Sequence, residues 1–205
     1  AGTTVSRASM HNFDLLREKD IRVGDIVLVH KAGDIIPEII KPMVEKRQGR
    51  EQQIEPPASC PACGSGVVRF QGEVAYRCEN INCPARLKES LIFFASRSAM
   101  DIDGLGPAVI DQLVEKKLVE KVDDLYYLKE DDIAGLDRMG AKSAYNLIQA
   151  IADSKARPLY RLVTALGIRH IGSKTARLLT AQINNIDQFS EVNEEQLMSI
   201  PEIGP

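Results

Sequence analysis

The chain has 205 residues, of which 44% are apolar and 27% are charged, and its formal net charge at pH 7 is −3. This composition suits one or two globular domains, and because no apolar run approaches 18 residues, it excludes a membrane-spanning helix. The strongly basic balance that usually marks a nucleic-acid-binding protein is absent, so such binding would have to use few Lys and Arg side chains.

Residues 1–56 are predicted to be mainly β structure. Two runs of β-branched residues each follow a Gly-Asp turn signal, at Ile26–Val29 and Ile35–Ile40. The stretch NFDLLREKD begins with Asn12, a residue type that commonly caps helices, and predicts one short helix. These strands are too few to close a barrel, so the segment is expected to be part of a small one.

Residues 57–86 contain every cysteine of the chain. The spacing is Cys60-x2-Cys63, fourteen residues, and then Cys78-x4-Cys83. Two short-spaced thiolate pairs fill a tetrahedral shell, which predicts a closed structural zinc site with no open position for catalysis. Two disulfides are the alternative, but two short-range pairs in a chain otherwise free of cysteine favour the metal.

Residues 87–205 are predicted to be helical, with apolar residues at helical spacing. Their predicted helix N-caps include Asp123, Asp131 and Asn193. An apolar-Gly step recurs four times, in IDGLGPAVI, LDRMGAKSA, IRHIGSKTA and IPEIGP, at Gly106, Gly140, Gly172 and Gly204. These glycines are 34, 32 and 32 residues apart, a period typical of a repeated supersecondary unit, so each is expected to lie between two helices.

A glycine at a helix N-terminus lets an anion approach the unpaired backbone N–H groups without meeting a Cβ atom. In the second and third copies Lys142 and Lys174 follow the glycine by two residues and can add charge-assisted contacts. Helix N-termini of this kind would bind the phosphates of a nucleic-acid backbone without contacting the bases. The alternative is four ordinary turns, which is strongest for the first copy, where Pro107 and Ala108 follow the glycine.

The pattern apolar-x-Gly-apolar-Gly entering a helix resembles the helix-hairpin-helix motif. Four copies behind a four-cysteine finger, itself behind AGTTVSRASMHN and VHKAGDIIPEI, resemble the C-terminal half of a bacterial NAD-dependent DNA ligase. The resemblance covers essentially the whole chain and implies an α+β multidomain protein. Its expected parts are a partial OB-fold barrel at 1–56, a zinc finger at 57–86 and an all-α domain of four tandem hairpins, the last truncated, at 87–205. It also implies that zinc is bound by Cys60, Cys63, Cys78 and Cys83.

The family's chemistry passes AMP from NAD to an enzyme lysine and then to the 5′-phosphate at a nick, which the 3′-hydroxyl finally seals. That lysine lies in a Lys-x-Asp-Gly motif, which this sequence does not contain. The adenylation domain, with its NAD and Mg²⁺, is therefore expected outside this chain. The chain is expected to be a fragment of a longer protein, inactive alone, that grips nicked double-stranded DNA as a monomer in the bacterial cytoplasm, near the nucleoid and without a membrane.

The resemblance also implies a set of DNA contacts at the hairpins and in the barrel. The expected residues are Gly104, Gly106, Gly140, Lys142, Gly172, Lys174, Gly204, Arg7 and Lys31. The first glycine of the motif is present only at Gly104, while Arg138, His170 and Glu202 stand at the matching positions, which predicts a different shape for those three hairpins. A non-catalytic helix-hairpin-helix module of another repair protein is the alternative function, and a zinc-stapled scaffold that binds protein is a third.

Overall fold

The computed structural model of the chain describes residues 4–32 and 36–204. The chain divides into two compact units, residues 1–81 and residues 82–205. The predicted turn at Gly33 and Asp34 lies outside the described residues. Within the described ranges, no helix has both the length and the apolar character needed to cross a bilayer.

The described part of the first unit contains three two-stranded antiparallel sheets. The pairs are β1 (Arg22–Val23) with β4 (Gln52–Gln53), β2 (Val27–Ala32) with β3 (Ile36–Pro42), and β5 (Val67–Arg69) with β6 (Tyr76–Cys78). The described residues of the two predicted β-branched runs lie largely in β2 and β3, which pair in one sheet, while Ile35 lies outside the described residues. The register of that sheet shifts between Leu28 and Val29.

Helix α1 (Phe13–Glu18) begins where the sequence predicts it. The Asn12 side chain accepts a hydrogen bond from the Leu15 N–H at 2.9 Å, which satisfies one of the donors left unpaired at a helix start. Leu16 on this helix and Ile21 just after it are buried, with 5% and 7% exposure. A short 3₁₀ helix, Val44–Lys46, follows β3.

Arg47 connects two aspartates of the segment that follows α1. Its guanidinium donates to Asp25 Oδ1 and to Asp20 Oδ2, each at 2.7 Å. The Asp25 side chain is only 1% exposed, and the hydrogen bond from Arg47 keeps the pKa of Asp25 below its ordinary value. Arg47 and Arg22 lower the pKa of Asp20 in the same way.

The second unit is helical throughout its described part. Its α-helices are α2 (Pro84–Ala95), α3 (Pro107–Glu115), α4 (Glu130–Ala134), α5 (Ala141–Ser154), α6 (Leu159–Ala165), α7 (Ser173–Gln182) and α8 (Glu194–Met198). Two 3₁₀ helices, Val122–Tyr127 and Asp187–Ser190, lie between them. Helices that neighbour one another along the chain pack together, namely α2 with α3, α4 with α5, and α6 with α7.

One apolar cluster runs from α2 to α6. Its fully buried members, all at most 1% exposed, include Leu91, Ile110, Leu113, Leu125, Ile133 and Leu147. At its edge the hydroxyls of Tyr126 and Ser154 lie 3.0 Å apart, and Ser154 also donates to the Ile151 carbonyl at 2.6 Å. The buried Ser154 therefore keeps its hydrogen bonds, as burial of a hydroxyl requires.

Candidate metal centre and nucleic-acid interface

The four cysteines lie together. Their sulfur atoms are all within 4.8 Å of one another, and Cys60 and Cys83 are buried. The sulfurs of Cys63 and Cys78 are 3.5 Å apart, far beyond the roughly 2.05 Å of a disulfide. A tetrahedral zinc ion with bonds of about 2.3 Å spaces its sulfurs about 3.8 Å apart. The cluster therefore suits a structural zinc ion, and no two of the four cysteines form a disulfide.

Local backbone structure places each of these ligands. The Cys60 N–H donates to the Ser65 carbonyl at 2.7 Å, and the Gly64 N–H donates to the Cys60 carbonyl at 2.8 Å, which closes a tight knuckle. Gly64 has φ of 73°, in the left-handed region that glycine adopts at least cost. Cys78 ends β6, and Cys83 directly precedes α2, whose first residue is proline.

Three of the four repeated glycines stand at the N-cap of a helix. Gly106, Gly140 and Gly172 directly precede α3, α5 and α7, with φ between −93° and −85° and ψ between 172° and 179°. No side chain caps any of these helices. The first backbone N–H groups of α5 and α7 are therefore left for another acceptor, and the helix dipole favours a negatively charged one. At α3 only the Ala108 N–H is left, because Pro107 has no N–H and the Val109 N–H donates to the Gly106 carbonyl at 3.1 Å.

The conformation of these glycines does not require glycine. Their φ values lie in the range that any residue adopts. Apart from its chain neighbours, a Cβ atom added at any of them, or at Gly204, would meet no described residue within 4 Å. Ser, Asn and Asp are the usual N-caps, ahead of glycine. The glycines therefore leave open space on the outer side of three helix N-termini, where a ligand can reach the backbone.

The prediction that three of the hairpins differ in shape is wrong. Two residues before each repeated glycine the backbone is left-handed, with φ of 81° at Gly104, 62° at Arg138, 65° at His170 and 70° at Glu202. Each of these residues is the third residue of a turn closed by one backbone hydrogen bond. Those bonds are Leu105 to Ile102, Met139 to Leu136, Ile171 to Ile168 and Ile203 to Ile200, at 3.1 to 3.4 Å. The turn sets the conformation, and residues with a side chain accept it despite its cost.

The basic side chains predicted at the hairpins differ in their surroundings. Lys142 has no ion-pair partner among the described residues, whereas Lys174 forms an ion pair with Glu202 of the fourth hairpin. Arg7 is exposed in the first unit. Lys31 lies in β2, and its side chain is outside the part of the chain that the structure describes. The structure thus groups the hairpin residues within the second unit, while Arg7 and Lys31 belong to the first.

Gln112 of α3 and Lys116, the residue directly after that helix, hold the second hairpin, and the sequence does not indicate either of them. Gln112 Oε1 accepts from the Asp137 N–H at 2.6 Å, and Gln112 Nε2 lies 3.4 Å from the Asp137 carbonyl. Lys116 donates to the Gly135 carbonyl at 2.7 Å. Both residues look like solvated helix positions in the sequence, so no sequence signal could have identified them.

Family models match four stretches of the chain. They describe an NAD-dependent DNA ligase OB-fold domain at residues 1–51, an NAD-dependent DNA ligase C4 zinc finger domain at 59–85, a SAM-like helix-hairpin-helix tandem at 96–153 and a helix-hairpin-helix motif at 161–205. The fold class predicted from the sequence is thereby confirmed.

Curated proteins similar to this chain are named DNA ligase. Those of Syntrophomonas wolfei, Pelotomaculum thermopropionicum and Halothermothrix orenii are 69%, 56% and 54% identical over 205 residues, which is all of this chain. The chain spans 30 to 31% of the length of these relatives.

Proposed function

We propose, from the OB-fold and four-cysteine zinc-finger domains of the NAD-dependent DNA ligases that this chain carries, that it is the DNA-binding part of a nick-sealing enzyme. It grips nicked duplex DNA as a monomer in the bacterial cytoplasm. The transfer of AMP from NAD, with Mg²⁺, belongs to a part of the protein outside these 205 residues. The two ligase domains do not favour the alternative of a non-catalytic module from another repair protein.

The observation that carries this proposal is the open space at the hairpin glycines. A phosphate placed against the N-terminus of α5 or α7 would accept hydrogen bonds from backbone N–H groups that have no side-chain cap, and at α3 it would accept one from Ala108. Because no Cβ atom stands in its way, the phosphate can approach to hydrogen-bond distance. The three helices are 9, 14 and 10 residues long, long enough for their dipoles to favour the negative charge.

Backbone donors also explain how a chain of net charge −3 can bind a polyanion. Amides at helix N-termini contact phosphates without adding to the formal charge, and Lys142 adds a charged contact beside the second of them. Phosphate contacts of this kind fix the position of the duplex and carry no sequence information. The hairpins therefore suit an enzyme part that must bind a nick in any sequence.

The zinc ion has a structural role in this proposal. Cys60, Cys63, Cys78 and Cys83 provide four thiolate ligands, which leaves no coordination position for water or substrate. These residues hold the segment between the barrel and the hairpins in one conformation. They supply no group to the chemistry at the nick.

The proposal is tested by replacing Gly140 or Gly172 with valine and measuring the binding of unrelated nicked duplexes by fluorescence anisotropy. Valine blocks the approach of phosphate, so each variant should bind more weakly by about 1–3 kcal/mol, the scale for leaving one hydrogen-bonding group unsatisfied. The loss should be the same for every DNA sequence.

Ala152→Val, at the exposed C-terminal end of α5, is the matched control, since it adds similar bulk far from the helix N-terminus. It should bind as the unmodified chain does. Circular dichroism would verify that all variants are folded. Folded Gly140→Val and Gly172→Val proteins with undiminished affinity would mean that these glycines are only turns, and the proposal would be abandoned.

A further inference from the structure

An ion pair connects the third and fourth hairpins. Lys174, the second residue of α7, contacts the carboxylate of Glu202, which is the left-handed residue of the fourth hairpin. Both side chains are largely exposed, at 78% and 57%. The lysine that the hairpin pattern aims at a phosphate is thus already paired with an acidic group of the same unit.

The matching positions of the first two hairpins carry different residues. Ala108 stands two residues after Gly106, as Lys174 does after Gly172, and Arg138 stands two residues before Gly140, as Glu202 does before Gly204. An ion pair is impossible there, and Gln112 holds the second hairpin by its backbone instead. The pairing of Lys174 with Glu202 is therefore a property of the second pair of hairpins and not of the repeat.

We propose that Glu202 competes with DNA phosphate for Lys174 and so sets the affinity and the salt dependence of binding at the third hairpin. This inference rests on the proposed function. A phosphate that reaches the N-terminus of α7 must displace the carboxylate before the lysine can contact it. The lysine then exchanges one anionic partner for another, so the contact contributes less to binding than that of Lys142, which has no such partner among the described residues.

The exposure of the pair makes this exchange possible. Exposed ion pairs stabilise proteins only weakly, so the carboxylate does not hold the lysine against a phosphate that also accepts backbone hydrogen bonds. The lysine ammonium is a point charge on a flexible stem and can turn from one acceptor to the other without moving the helix. A glutamate in the left-handed region is also uncommon, because glycine, the residue at the matching position 104, takes that conformation at less cost.

The experiment is a double-mutant cycle on Glu202 and Lys174, with dissociation constants for two unrelated nicked duplexes measured at several salt concentrations. Glu202→Gln should tighten binding about 1.5- to 5-fold at low salt, the range expected for releasing an exposed ion pair. It should also steepen the slope of the logarithm of the association constant against the logarithm of the salt concentration by up to about one, because the lysine then contributes a full phosphate contact. In a Lys174→Ala background, Glu202→Gln should change neither quantity.

Two further variants complete the experiment. Glu202→Gly, which places the first hairpin's residue at this position, should act in the same direction as Glu202→Gln and keeps the left-handed turn. Glu195→Gln removes an exposed carboxylate from α8 and is the matched control, which should leave the salt dependence unchanged.

Three results would contradict the inference, and they can be told apart. An effect of Glu202→Gln that persists in the Lys174→Ala background would show that Glu202 only repels DNA in general. Unchanged binding by both Glu202 variants, while Gly140→Val still weakens it, would place Glu202 away from the bound DNA. Absence of duplex binding by the unmodified chain would overturn the proposed function itself.

Discussion

The interactions that stabilise the interior of the first unit differ from those that stabilise the interior of the second. In the described part of the first unit few apolar side chains are buried, chiefly Leu16 and Ile21, whereas in the second unit one apolar cluster extends from Leu91 to Ala165. The first unit relies instead on charge and on the thiolates of Cys60, Cys63 and Cys78. Its stability should therefore depend on pH and metal, while that of the second should depend on packing.

Side-chain contacts within the first unit show what replaces a large core. Arg69 donates to both carboxylate oxygens of Asp14 and lies over the ring of Tyr76, whose centroid is 5.4 Å from that of Phe13. These contacts connect α1 with the β5–β6 sheet, from which Cys78 projects. Directional contacts of this kind position groups well, but individually they contribute little stability when exposed.

Removal of zinc should unfold residues 60–81 and leave α3 and α5 folded, and it is the largest effect expected. Structural zinc contributes an apparent free energy of about 10–16 kcal/mol in zinc-finger peptides, and the segment at residues 60–81 has little core to replace it. Hydrogen exchange with mass spectrometry should show that a chelator removes protection from residues 60–81 but not from α3 and α5.

Elemental analysis should find one zinc ion per chain, and added zinc should restore the lost protection. The prediction would be contradicted by purified protein that lacks zinc and carries two disulfides by mass spectrometry.

Truncation of a core leucine should produce the opposite pattern. Leu113 is fully buried in the apolar cluster, so Leu113→Ala should lower the free energy of unfolding of the helical unit by about 2–5 kcal/mol. Urea denaturation followed by circular dichroism measures this loss, and zinc content should stay the same. Leu166→Ala, at a position that is 53% exposed, is the control and should change stability little. Equal losses for the two variants would mean that the cluster does not hold the unit.

Lowering the pH should destabilise the first unit, because it weakens the contacts of Arg47 with Asp20 and Asp25. Arg47 keeps the pKa values of Asp20 and Asp25 below their ordinary values, so the stabilisation is complete above the unfolded pKa of about 3.9 and is lost as pH falls through the folded values. Urea titrations at a series of pH values, followed by the NMR signal of the Ile21 methyl group, should show this decline.

Asp25→Asn should be less stable near neutral pH and should vary less with pH in the acid range. Glu45→Gln, on the exposed 3₁₀ helix after β3, should keep the pH dependence of the unmodified chain. An unchanged acid profile in Asp25→Asn would show that the network does not stabilise the unit.

The sequence predicts the features of this molecule that depend on local spacing. Cysteine spacing predicts which four residues cluster, and the glycine period locates the starts of α3, α5 and α7. Asn12 and Asn193 cap their helices as predicted. Asp123 and Asp131 do not cap their helices. Instead Asp124 and Asp132, each the third residue of its helix, accept a hydrogen bond from the backbone N–H of the residue just before the helix.

Two other features were not predictable, one local and one tertiary. The left-handed conformation of Arg138, His170 and Glu202 follows from the turn in which they lie, and the residue types themselves indicate nothing of the kind. The hydrogen bond between Gln112 and Asp137 of the second hairpin depends on how α3 packs, since the two residues are 25 positions apart in the sequence. The DNA contacts predicted at the hairpins, at Arg7 and at Lys31 stay predictions.

The pairing of sequence neighbours among the helices bears on the rate of folding. Because α2 packs on α3, α4 on α5 and α6 on α7, most loops closed during folding of the second unit are short, and helical domains with such local contacts fold in microseconds to milliseconds. Longer loops are closed where Arg161 of α6 donates to the carbonyls of Arg97 and Ala99, more than 60 residues away, and such loops cost more chain entropy. We therefore expect the helix pairs to form before α6 packs against residues 97–99.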